Sequence, residues 1–247
     1  MFTPEFLWYV LVGFAAQLID GALGMAYGVT ASTLLLGLGV PPAATSATVH
    51  TAECFTTGVS ALSHRAFGNI DRALFRKLLL PGVLGAVLGA TILSSVSGDA
   101  IKPFVAGYLL VMGAIILLKA LRPFPKRTVT TFVGPLGFVG ACLDALGGGG
   151  WGPIVASNLI VRGNDLRHTV GTVNAVEFFV TVAASATFFV TLGFGNWPII
   201  VALALGGVLA APLGAWAVKR IPPRPFMVLI GVLVIALSTR TLLHSRM

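Results

Sequence analysis

The chain has 247 residues, 56% of them hydrophobic and 10% charged, with a mean hydropathy of +0.95. Soluble domains carry about a quarter charged residues, so this composition excludes an ordinary water-solvated globule. The net charge of +8 does not point to nucleic acid, because the sixteen Lys and Arg are spread over short loops and helix ends and build no basic surface. Anionic lipid headgroups are the partner such residues fit, reached by snorkelling side chains.

About 20 helical residues cross the roughly 30 Å of bilayer hydrocarbon, and the chain offers such stretches repeatedly. The start, Met1 to Glu5, has no Lys or Arg before its apolar run, so the first segment is expected to be retained rather than cleaved as a signal peptide. A long apolar stretch over about 6–40 is interrupted by glycine, and spans are predicted near 43–63, 76–96 and 101–120. A second glycine-interrupted stretch covers about 129–161, followed by spans near 168–191, 198–218 and 225–243. Helix breakers are tolerated at membrane depth where neighbouring helices or a cavity satisfy the freed backbone. The expectation is an all-α polytopic membrane protein of 8–10 transmembrane segments, including two glycine-broken or re-entrant hairpins.

The chain also repeats itself. Thr45, Thr48, Val49, His50, Glu53, Phe55 and Thr57 return as Thr169, Thr172, Val173, Asn174, Glu177, Phe179 and Thr181, an offset of 124 residues. The same offset pairs Gly13 with Gly137, Asp20 with Asp144, Gly24 with Gly148 and Gly28 with Gly152. Two membrane repeats, 1–124 and 125–247, are expected within one transmembrane domain. In the first, Arg65, Arg72, Arg76 and Lys77 follow the 43–63 span, Asp99 and Lys102 mark the next loop, and Lys119, Arg122, Lys126 and Arg127 close the half. In the second, Arg162 and Arg167 precede 168–191, the segment 192–197 is uncharged, and Lys219, Arg220 and Arg224 follow. Equivalent loops carry opposite bias, so the positive-inside rule predicts inverted halves, although it leaves Arg240, His244 and Arg246 outside.

Four of the eight acids, Asp20, Glu53, Asp144 and Glu177, fall inside apolar segments as two repeat-related pairs. A charged group at the bilayer centre costs about 2.5–3.5 kcal/mol on insertion scales, so such acids face a cavity, a partner or a proton path. Glu53 and Glu177 each sit on an i+4 stripe with hydroxyls, and either carry protons or lock the broken segments. His50 lies one turn before Glu53, which makes the two a proton-coupling candidate. Cys54 and Cys142 lie in apolar stretches, are not repeat equivalents, and read as buried free thiols; no metal and no cofactor is expected.

Glycine clusters interrupt the apolar segments at Gly21, Gly24 and Gly28 and at Gly147, Gly148, Gly149, Gly150 and Gly152. A helix restarting after such a break points N–H groups and its positive end into the gap, which suits a small anion. Close packing of small residues is the alternative. Asp20 and Asp144 precede the breaks and either cap the restarting helices or meet substrate or proton directly. With no Lys or Arg in mid-span, an anion would be held by Gly24, Gly28, Gly147, Gly148, Gly149 and Gly150 together with Thr48, His50, Thr172 and Asn174.

At these residues the chain resembles the sulfite exporter TauE/SafE family of permeases. The nearer motif is Gly147 to Pro153, with Gly171, Thr172, Val173 and Asn174 similar to the family's second-half Thr-Asn element; Gly24 to Gly28 departs from its triple-glycine form. The resemblance implies a multi-pass protein of the bacterial inner membrane that moves sulfite or small organosulfur anions. The expected function is therefore secondary transport of such an anion by alternating access, with proton coupling and with homodimerisation allowed by the small-residue spans. Two rivals stand beside it: a carboxylate-based cation or proton-coupled metal transporter, and a membrane partner protein that transports nothing. An enzyme is not expected, since no GxGD, GxSG or HExxH motif is placed.

Overall fold

The computed structural model of the protein describes residues 4–121, 131–193, 195–218 and 223–244, and over these it is all-α. In chain order the elements are α1 (Pro4–Leu23), α2 (Tyr27–Gly37), α3 (Pro42–Ala66), α4 (Arg72–Ser95), α5 (Gly98–Leu121) and α6 (Val133–Gly147). Next comes α7, a π-helical turn over Gly152–Ala156 that runs into an α-helical turn over Ser157–Val161. Then follow α8 (Leu166–Leu192), α9 (Trp197–Ala217) and α10 (Pro223–His244). The six uninterrupted stretches of the sequence become α3, α4, α5, α8, α9 and α10, and each glycine-broken stretch becomes two helices. Arg122, Lys126, Arg127, Lys219, Arg220 and Arg246 lie outside the described residues, as do the side chains of Asp99 and His244.

Among the described residues five helices are long and apolar enough to cross a bilayer: α1, α4, α8, α9 and the Ala100–Leu121 part of α5. The α3 helix has the length, at 25 residues, but not the hydropathy, because Thr45, Ser46, Thr48, His50, Glu53, Thr56, Thr57 and Ser60 run along it and are all buried. It packs against α8 and α9 at the centre of the bundle, so its polar face meets protein rather than lipid. The outside is the reverse: Leu80, Leu84 and Leu88 on α4, and Leu205, Leu209, Leu213 and Trp216 on α9, are exposed as apolar ridges. Large apolar side chains outward and hydroxyls, amides and carboxyls inward is the arrangement of a lipid-solvated bundle.

Packing crosses between the halves. The α1 helix lies along α9, and α6 lies along α4; α9 occupies in the second half the place of α4 in the first. Likewise α3 pairs with α8, α5 with α10, and the α3–α9 contact has its counterpart in α8–α4. Small residues permit these approaches. Gly21 and Gly214 meet backbone to backbone, and a Cβ on Gly214 would come within 2.9 Å of the Gly21 Cα. The backbone repeats too: Gly24 and Gly148 both end a helix at φ +68°, and Gly39 and Gly163 both turn at φ +89°. An L side chain is strained at such angles, which explains glycine at both members of each pair.

Candidate substrate site at the crossed helix breaks

The two breaks meet each other. A Cβ on Gly28 would lie 2.9 Å from the Gly149 Cα and 3.1 Å from Glu53 Oε1, and one on Gly149 would collide with the backbone of Gly28 and Val29. Gly152 is equally close to the Gly24 carbonyl and Met25. Each glycine of the run has its own neighbour: Gly147 and Gly150 seat the Tyr108 ring and hydroxyl, Gly148 carries its carbonyl to Ser32 Oγ, and Gly149 crosses Gly28. Close packing and helix interruption, alternatives in the sequence, are thus both present at one point. The half-helices restart on aromatic anchors whose polar tips are bonded: Tyr27 OH donates to the Leu203 carbonyl at 3.1 Å and Trp151 Nε1 to the Val173 carbonyl at 3.2 Å.

Asp144 sits under the second restart. Its Oδ1 accepts from the N–H groups of Gly150 at 2.6 Å and Trp151 at 3.0 Å, while its own carbonyl accepts from Gly148 and Gly149. Two of these four amide donors are thus taken by the Asp144 carboxylate and two by its main-chain carbonyl, so the residue caps the end of one helix and the start of the next. Its Oδ2 lies 3.1 Å from His50 Nε2. The His50 Nδ1 is 2.8 Å from the Ser46 carbonyl, which only accepts, so Nδ1 carries a hydrogen. One further proton then lies between Nε2 and Oδ2, held by the imidazole or by the acid. Ser46 Oγ donates to the Ala145 carbonyl at 2.6 Å, fixing α3 to the end of α6.

The equivalent arrangement in the first half is incomplete. Asp20 lies against the backbone N–H groups of Tyr27 and Ala26, but its buried Oδ2 has no hydrogen-bond partner. The residue that would match His50 is Asn174, and it is engaged elsewhere: its Oδ1 accepts from Ser60 at 2.7 Å and its Nδ2 donates to the Val170 carbonyl at 3.2 Å. Glu177 Oε2 is also buried without a partner, as are both amide atoms of Gln17, one turn before Asp20. Asp20, Glu53, Asp144 and Glu177 are all buried and lie within electrostatic reach of one another around the two breaks.

A cavity of about 520 Å³ lies between α3 and α8, reaching the uncharged loop ends at Pro41, Gly193 and Asn196. Thr48, Thr51, Cys54 and Ser185 supply its hydroxyls and thiol, and Cys54 Sγ is 3.3 Å from Ser185 Oγ. Phe188 stands between this cavity and the centre, lining the one and holding its ring 6.1 Å from that of His50. Thr48 thus faces the cavity and accepts from Asn196, whereas Thr172 lies at the basic end and accepts from the Asp71 N–H at 2.8 Å. Among the described residues no three His, Cys, Asp or Glu side chains are grouped to hold a metal ion.

Sequence reasoning missed Tyr108. Its hydroxyl is buried, has no hydrogen-bond partner, and stands beside Gly150. A tyrosine in an apolar helix gives no signal by itself; only the fold carries α5 over the glycine run. Ser32, Ser46 and Ser60 were missed for the same reason, although Ser46 does fall one turn before His50.

A helical bundle with apolar ridges outward and four buried acids inside is the build of a multi-pass membrane transporter rather than an enzyme. The chain belongs to the sulfite exporter TauE/SafE family, whose model matches residues 9–241. It is similar to "Probable membrane transporter protein YtnM" of Bacillus subtilis (strain 168), at 42% identity over 247 residues that cover 96% of this chain and 82% of that protein. It is also similar to "Probable membrane transporter protein YdhB" of the same organism, at 26% identity over 224 residues, 86% and 90% of the two chains. No solved structure matches it.

Proposed function

We propose that the protein is a secondary transporter of a small oxyanion of the sulfite or sulfonate class, built from two inverted repeats and working by alternating access. The observation that carries this reading is the Asp144 carboxylate on the N–H groups of Gly150 and Trp151, with His50 on its other oxygen. These donors suit an oxyanion, and in the unliganded protein the carboxylate holds their place.

The exchange is linked to protonation. An arriving anion finds the N–H groups of Gly150 and Trp151 taken by the Asp144 side chain, which has to turn away before the anion can use them, with the His50 imidazole beside it as the proton partner. The partnerless Tyr108 hydroxyl supplies a further donor to the oxyanion. A proton then travels with each anion, and Asp20, Glu53 and Glu177 serve as the neighbouring carriers. The family supports the sulfur class, since backbone donors read charge and size rather than element.

The test is thermal stabilisation of the purified protein by sulfite, small sulfonates and divalent cations, since a ligand at 100 times its Kd stabilises by about 2.7 kcal/mol. Sulfite or a sulfonate is expected to stabilise. Tyr108→Phe is expected to leave the unliganded protein unchanged, because its hydroxyl bonds to nothing, and to weaken that stabilisation. Stabilisation by divalent cations alone, lost in Glu53→Gln or Glu177→Gln, would establish the carboxylate-based cation transporter instead.

A further inference from the structure

At the end of the bundle opposite the cavity, five elements are tied together. Arg167 at the start of α8 donates from Nε to Asn69 Oδ1 at 2.5 Å and from Nη2 to the carbonyls of Phe67 and Gly68 at 2.8 and 3.0 Å. Asn69 Nδ2 lies 3.0 Å from His64 Nδ1 and donates to the Ala215 carbonyl of α9 at 3.4 Å. His64 Nε2 lies 3.0 Å from the Gly21 carbonyl of α1, and the Asp71 N–H donates to Thr172. Because a carbonyl only accepts, His64 carries its hydrogen on Nε2 and accepts from Asn69 on Nδ1. His64 and Asn69 are fully buried. Around this knot stand Arg65, Arg72, Arg76, Lys77 and Arg162, which mark the basic face.

Five residues of this knot have counterparts 124 positions away that line the cavity. Arg167 corresponds to Ala43, Thr172 to Thr48, His64 to Phe188, Asn69 to Gly193 and Asp71 to Gly195, and all five of these counterparts are in the cavity wall. One end of the α3–α8 pair is thus open and lined by small or apolar residues, and the equivalent end is shut by a polar network. Deeper in, Thr51, Cys54, Val182 and Ser185 of the cavity correspond to Ala175, Phe178, Gly58 and Ala61. Here the Phe178 ring fills the space that the thiol of Cys54 leaves open, and a Cβ on Gly58 would come within 3.3 Å of it.

We infer that the anion's path continues to the basic face through a second cavity between α3 and α8, lined by Gly58, Ala61, Ala175 and Phe178, and that the Arg167–Asn69–His64 network is the gate that holds it shut. In the state described, the site is reached from the uncharged end. Breaking the network lets α8 and the α3–α4 connection part at the basic end, while closing of the first cavity over Thr51 and Cys54 completes the switch. Arg167 and Asn69 do not touch the substrate; they set which face it meets. This rests on the transporter reading above, but its test needs no substrate.

The measurement is thiol accessibility in sealed vesicles of either orientation, with a charged, membrane-impermeant methanethiosulfonate. In a Cys54→Ser, Cys142→Ala background, a reporter is placed by Ala175→Cys, at a buried position. Adding Arg167→Ala or Asn69→Ala is expected to speed labelling of the reporter from the basic face by about tenfold, the shift that one hydrogen bond to a charged group makes in a two-state equilibrium. With the native thiol in place, the same gate substitutions should slow labelling of Cys54 from the opposite face. A Phe178→Ala variant, which removes the plug and leaves the network intact, should label no faster than the parent. If both gate variants elute and melt as folded protein and label at the parent rate from both faces, the gate is refuted. A protein that labels as expected yet moves no sulfur oxyanion keeps the gate and loses the substrate assignment.

Discussion

The two half-sites share a framework and differ in how completely it is used. Around Asp144 every oxygen is engaged: two backbone N–H groups on one, His50 on the other. Around Asp20 the same helix restart is present, but Oδ2 has no partner, because the position of His50 is taken by Asn174, which turns to Ser60. At positions 124 residues apart the two scaffolds are alike, and where one has imidazole and the other amide, one carboxyl is bonded on both oxygens and the other on one side only. A buried carboxyl oxygen without a partner is free to take up a proton or a new donor without breaking an existing hydrogen bond, and Glu177 Oε2 shares that condition with Asp20 Oδ2.

The comparison breaks most readily at Asp144. Removing one partner of a buried pair costs about 3–5 kcal/mol, so Asp144→Ala should lower the melting temperature by roughly 10 °C, and Asp20→Ala by clearly less. Equal losses in the two variants, measured by thermal unfolding in detergent, would show that the half-sites are energetically alike. Gly149→Ala comes next: its Cβ meets the backbone of Gly28 and Val29, and overpacking costs about 1–3 kcal/mol. A melting temperature like that of the parent would mean the breaks are not in contact.

His50→Asn gives the Asp144 half-site the amide that the Asp20 half-site has in Asn174. It should cost about 1–3 kcal/mol, the penalty of an orphaned buried acceptor, and flatten the pH dependence of transport. Retention of that dependence would move proton coupling to the other acids. Ser60→Ala removes the donor to Asn174 Oδ1, for about 1 kcal/mol. If the freed amide turns to Asp20, the variant will instead be as stable as the parent. Glu177→Gln should change stability by less than about 1 kcal/mol, since Oε2 bonds to nothing, while transport in proteoliposomes loses part of its pH response. Normal transport across the pH range would retire Glu177 as a proton carrier.

Much of this was legible in the chain. Helices, glycine breaks and the positions of the four acids follow from hydropathy and from the 124-residue offset, because they are local properties repeated twice. The capping role of Asp144 was readable as an alternative, since an acid before a helix restart has few other uses. Partner choice was not readable. That Asn174 binds Ser60, that Thr172 caps Asp71, and that Tyr108 stands over Gly150 depend on contacts between helices distant in the chain. Arg167 was visible only as a loop charge reporting orientation; its fork over Phe67, Gly68 and Asn69 is a product of the folded loop.

The exchange of partners between the halves, α1 with α9 and α6 with α4, also sets an order of events during synthesis. The α1 helix has to wait for α9 before its glycine face is covered, while α6 finds α4 already in the membrane. Until then Gly13 and Gly21, which lie directly against Leu203 and Gly214, are exposed to lipid or to the insertion machinery. A chain stopped before α9 therefore leaves α1 without its mate even though α4 and α6 can join, so quality control in the membrane has a specific unfinished surface to recognise.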